Sequence, residues 1–147
     1  MTDTITGTIT TGITIDAGQG YSSPLTIASG GIVSGATAVT ASYAATLQVY
    51  GTLTGSDAGA GIGAAFQSGG AITNAATGTI DADGTAVRFA GAYGTLYNAG
   101  LIGPGATTGI AFSAGGTVSN AAGAVISGYS IAILGDSGGG AVTVDNA

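Results

Sequence analysis

The 147 residues carry seven acidic side chains, one basic side chain and no histidine, cysteine or tryptophan, for a net charge of −6; 45% are hydrophobic and 30 are glycine. That apolar content supports a core in a chain the size of one domain, but a charged fraction of 5%, against about a quarter in ordinary proteins, excludes a typical helical or α/β enzyme. One arginine cannot neutralise a phosphate backbone, so nucleic acid is excluded as a partner, and no cofactor is expected.

The first predicted element is Thr4 to Asp16, T-I-T-G-T-I-T-T-G-I-T-I-D, where threonine and isoleucine alternate at period two, the pattern of a strand. The opening M-T-D-T-I-T shows no basic region followed by an apolar block, so no signal peptide is expected there. L-T-I-A-S-G-G-I-V-S-G from Leu25 is then matched by L-Q-V-Y-G-T-L-T-G from Leu47, a step of 22. G-A-G-I-G, Gly59 to Gly63, follows no βαβ pattern and is expected to link coils rather than to cradle a nucleotide.

From there one module returns. Strand signals A-A-F (Ala64–Phe66), V-R-F (Val87–Phe89), I-A-F (Ile110–Phe112) and I-A-I (Ile131–Ile133) each precede a glycine corner. I-T-N-A, L-Y-N-A, V-S-N-A and V-D-N-A follow, placing asparagine at 74, 98, 120 and 146, in steps of 24, 22 and 26. Short strands, small-residue corners and this period predict an all-β fold, a parallel β-helix or β-solenoid with about 22–24 residues per coil and about six coils. It is expected to form a single solenoid domain over 1–147, looser over 1–58 and regular over 59–147.

In such a fold equivalent residues stack about 4.8 Å apart, so each repeated position becomes a column. Phe66, Phe89 and Phe112, continued by Ile133, are the expected core stack. Ile72, Leu96, Val118 and Val144 form an aliphatic column. Asn74, Asn98, Asn120 and Asn146 form a ladder of amides. Arg88 is expected to point outward, in a column with Ala65, Ala111 and Ala132. Stacked like charges destabilise neighbouring strands, which accounts for the scarcity of charge.

Several motifs suggest chemistry. G-D-S-G-G-G, Gly135 to Gly140, is the phrase around the nucleophile of chymotrypsin-like proteases and also satisfies G-x-S-x-G. A serine needs an adjacent base, and the chain has neither histidine nor lysine, so Ser137 is expected in a turn and no catalytic residue is assigned. D-A-D-G, Asp81 to Gly84, lacks the further acidic ligands of a calcium loop, and an Asp-Gly turn is preferred; no metal site is assigned. Asp81 and Asp83 are the only close carboxylate pair, without basic neighbours to hold an acidic sugar. Tyr93 and Tyr97 could stack on surface glycans. The T-I-T triplets at Thr4–Thr6 and Thr8–Thr10 and T-L-T at Thr52–Thr54 suggest an ice face, though they are not spaced by one coil throughout. Residues 89–135 carry no formal charge, but polar and glycine residues interrupt the run, so no membrane insertion is expected.

L-T-I-A-S-G-G-I-V-S-G and N-A-A-T-G-T-I resemble the repeats of bacterial autotransporter passenger domains and related β-helical adhesins. The resemblance covers Leu25 to Ala147 and implies a right-handed parallel β-helix, an extracellular or bacterial cell-surface location, and a role in adhesion or aggregation. No C-terminal barrel of amphipathic strands is seen, which counts against autonomous export. Strand begins almost at Asp3, and V-T-V-D-N-A stops halfway through a repeat, so uncapped terminal coils are expected. Ile5, Ile9, Val142 and Val144 would then form an end-to-end interface that stacks the protein on itself into filaments. The alternatives are a glycan- or ice-binding face, or a fragment of a longer adhesin.

Overall fold

A computed structural model describes residues 2–18 and 20–147. The first coil is β1 (Asp3–Ile5), β2 (Thr8–Ile9) and β3 (Ile13–Ile15); the second is β4 (Leu25–Ile27), β5 (Ile32–Gly35) and β6 (Thr37–Ala41). β7 (Ala45–Val49), β8 (Thr52–Gly55) and β9 (Ile62–Phe66) make the third, and β10 (Gly70–Asn74), β11 (Thr79–Ala82) and β12 (Thr85–Phe89) the fourth. The fifth is β13 (Gly94–Asn98), β14 (Leu101–Ile102) and β15 (Thr108–Phe112). The sixth is β16 (Gly116–Asn120), β17 (Val125–Ile126) and β18 (Ile131–Gly135), and β19 (Val142–Asn146) begins another turn.

Every strand pairs in parallel with its counterpart one coil away, and among the described residues no helix occurs. Three sheets result. Sheet A holds seven strands from β1 to β19, sheet B six from β2 to β17, and sheet C six from β3 to β18. The chain is an all-β solenoid of about six turns. Its backbone donors and acceptors are satisfied between coils, so short strands are sufficient.

The register turns sequence repeats into columns. Leu25, Leu47, Ile72, Leu96, Val118 and Val144 stack inward in sheet A. Ile9, Val33, Leu53, Ile80, Ile102 and Ile126 do so in sheet B. In sheet C, Phe66, Phe89 and Phe112 are buried in one column, with ring centroids 5.6 and 5.1 Å apart.

That column does not continue to Ile133. Phe112 pairs with Gly135, and Ile133 pairs with Ile110 in the neighbouring inward column. Likewise Arg88 stands with Ala65 and Ala111, and the column continues to Leu134 rather than Ala132. The step between these coils is 23 residues, as Ile110 against Ile133 shows, so aligning I-A-F with I-A-I misplaces the strand by two. A shift of two keeps the inward and outward faces, so side-chain alternation alone cannot expose it.

The glycine corners have a packing role beyond turning the chain. A Cβ on Gly94 would overlap the Phe89 ring, one on Gly116 the Phe112 ring, and one on Gly70 would come within 3.0 Å of Phe66. Each ring in sheet C therefore occupies volume vacated by the first residue of the following sheet A strand. At the sixth coil the sizes are exchanged: Gly135 stands in the ring position and Val142 in the glycine position, 3.1 Å from a Cβ built on Gly135.

Candidate functional site

The amide ladder occupies an inward column of sheet A that begins as Ile5, Ile27 and Val49 and changes to asparagine at Asn74. Asn74 Nδ2 donates to Asn98 Oδ1, Asn98 Nδ2 to Asn120 Oδ1, and Asn120 Nδ2 to Asn146 Oδ1, each at 2.8 Å. The same nitrogens donate to corner carbonyls, of Gly78 and Leu101 from Asn74, and of Gly100 and Val125 from Asn98. Buried amides are tolerated here because their partners recur at every rung. Among the described residues only the first lacks one: Asn74 Oδ1 is buried and faces the aliphatic end of its column without a donor.

The D-A-D-G corner holds neighbouring coils together through its carboxylates. Asp83 Oδ2 accepts the backbone N–H groups of Asp57 and Gly59, both at 3.0 Å, and Asp83 Oδ1 accepts that of Gly61 at 2.7 Å. Asp81 Oδ1 accepts the N–H of Gly105 on the other side, at 2.8 Å. Within the clasped loop Ala58 adopts a left-handed conformation, φ +46°, which positions successive N–H groups toward one anion. The Gly59 N–H, with those of Gly61 and Asp57, lowers the Asp83 pKa against an opposing desolvation effect.

G-D-S-G-G-G forms the corner between β18 and β19. Asp136 N–H donates to Phe112 O and Gly139 N–H to Asp136 O, a closed turn. Ser137 lies on the rim of a shallow groove of about 380 Å³, together with Ser113, Leu134 and Asp136. On the outer face of sheet A, Thr26, Gln48, Thr73, Tyr97, Ser119 and Asp145 form one column, so threonine is interrupted on the largest sheet. Tyr93 and Tyr97 are 54% and 45% exposed, and the Tyr93 hydroxyl is hydrogen-bonded to Thr117 Oγ1.

The two terminal coils differ. At the last coil Val144 points along the inward column yet is 48% exposed, because no described strand lies beyond β19. Val142 and Ile133 are partly buried there, and Val125, Ile131, Leu134 and Tyr129 place exposed apolar groups around the outside of the same coil. The first coil is better covered than the sequence suggests. Ile5 and Ile15 are buried, with Ile9 and Ile13 partly so. Tyr21 pairs with the outer edge of β3, donating its N–H to Thr14 O at 2.9 Å and accepting from Asp16 N–H at 3.1 Å. Asp3 stands at the inward register of Leu25, where its carboxylate accepts the Ser22 N–H at 2.6 Å. An inward charge at Asp3 and a loop over the β3 edge are both devices that protect a sheet edge, while β1 and β2 have no described strand beyond them.

The D-A-D-G turn was legible in the sequence, but the carboxylate clasp at Asp83 and the cover that Tyr21 and Asp3 give the first coil were not. Asp83 appears once in the repeat and Tyr21 not at all elsewhere, so column comparison could not find them. Comparison with protein-family models, with curated proteins and with solved structures gives no match.

Proposed function

We propose that the protein is a non-enzymatic, extracellular structural and adhesive β-solenoid that stacks head to tail through its terminal coils, in the manner of the bacterial surface adhesins its repeats resemble. The observation that carries this is the last coil, where β17, β18 and β19 present edges with no described strand beyond them and Val144 lies half-exposed in line with the core. An unprotected parallel edge templates further strands, and head-to-tail contacts that do not close produce filaments. Negative-stain microscopy of the purified chain tests this: filaments are expected with an axial repeat of about 29 Å, six rungs of about 4.8 Å each. Dispersed particles at high protein concentration would refute end-to-end stacking.

A second use of the same rod, capture of neutral surface glycans on sheet A, is favoured by the exposure of Tyr93 and Tyr97 beside the hydroxyls of Thr117 and Ser119. Loss of glycan-array binding in a Tyr93→Ala/Tyr97→Ala variant with filament formation intact would separate the two roles.

A further inference from the structure

Among the described residues the sheets do not have equal strand counts: seven in A, six in B and six in C. This inference rests on end-to-end stacking and specifies its seam. If a second copy continues sheet B from β17 with its β2 and sheet C from β18 with its β3, its β1 needs the place on sheet A already held by β19. One of these strands has to yield. β1 pairs with β4 over three residues, while β19 pairs with β16 over five and closes the amide ladder. We propose that β1 and the Tyr21 loop are a replaceable self-cap, and that the last coil of a second copy displaces them, with β19 taking the position of β1 against β4.

The column chemistry favours the exchange. β19 would set Val144 where Asp3 stands, beside inward Leu25, and Asp145 where Thr4 stands on the outer face. A carboxylate leaves an apolar column and a valine enters it, so the column continues across the seam. In sheet B, Ile126 would meet Ile9, and in sheet C, Ile133 would meet Ile13, each continuing its own inward column. β18, a five-residue strand, would take the edge of β3 that Tyr21 covers at a single bridge. The one polar mismatch is Asn146 beside Ile27, the reverse of the Val49–Asn74 junction already present in the molecule. Keeping β1 in place and laying it on β19 instead would set Asp3 against Val144 and leave sheets B and C one rung short.

A disulfide lock tests the exchange. Thr4 and Thr26 are register partners on the outer face, and the chain has no cysteine of its own, so Thr4→Cys/Thr26→Cys introduces the sole thiol pair. Reduced, this variant is expected to form pelletable filaments. Oxidised within the monomer, it is expected to lose them and to regain them on reduction. Equal assembly in both states would overturn strand replacement while leaving end-to-end stacking intact; no assembly in either state, nor in the unsubstituted chain, would overturn stacking itself.

Discussion

Phe89 and Gly94 show how far a single side chain constrains its neighbours in a stacked fold. The ring fills the space that a Cβ on Gly94 would occupy, so Gly94→Ala is expected to lower unfolding free energy in urea by about 1–3 kcal/mol, the usual cost of overpacking. Phe89→Ala should cost about 3–5 kcal/mol through its cavity. Combined as Phe89→Ala/Gly94→Val, the pair reproduces the exchanged sizes of Gly135 and Val142, and the loss is expected to be smaller than the sum of the single losses, a coupling that a double-mutant cycle measures. The amide column makes a second residue-level prediction. Asn98→Val deprives both Asn74 Nδ2 and Asn120 Oδ1 of a partner. Asn74 Nδ2 keeps the carbonyls of Gly78 and Leu101, but Asn120 Oδ1 is stranded, at a cost of about 1–3 kcal/mol. Asn74→Val is expected to be milder in the same assay, because it also removes the orphaned Oδ1 and leaves Asn98 Oδ1 the Gly100 N–H as donor.

At the scale of strands and corners, Asp83 joins the fourth coil to the loop of the third. Its folded pKa is lowered, chiefly by the Gly59 N–H. The sign follows: the stabilisation is complete above the unfolded carboxylate value, about 3.9, and is lost as pH falls through the lower folded value. Amide exchange at Asp57, Gly59 and Gly61 should accelerate across that acidic window, and Asp83→Asn should remove the pH dependence of this step. Neither the clasp nor the ring-and-glycine packing could be read in the sequence, because aspartate and glycine beside each other are the ordinary composition of a turn. The asparagine ladder and the phenylalanine column were legible for the opposite reason. A bulky or amide side chain returning beside the same aliphatic neighbours has few explanations other than stacking. Ile133 shows where that logic weakens, since an aliphatic residue two places away is chemically equivalent and points to the same face.

For the molecule as a whole, the coil period, the parallel sheets and the absence of helical periodicity were all present in the sequence, while the unequal covering of the two terminal coils was not. Tyr21 and Asp3 act through backbone pairing and register at one end only, and a feature that occurs once leaves no periodic trace. The filament and disulfide-lock experiments test what that inequality does. The ladder has a further consequence, because all its amides are oriented alike, nitrogen toward the higher-numbered coil. Their dipoles add along the axis and polarise one another. The ladder thus has two electrically distinct ends, an unfilled acceptor at Asn74 in the fourth coil and a donor at Asn146 on the last strand, independent of the surface aspartates. Whatever strand is laid beyond Asn146 meets a hydrogen-bond donor within an otherwise apolar cross-section, and at the proposed seam Ile27 leaves that donor without an acceptor, as Val49 leaves the Asn74 oxygen without a donor.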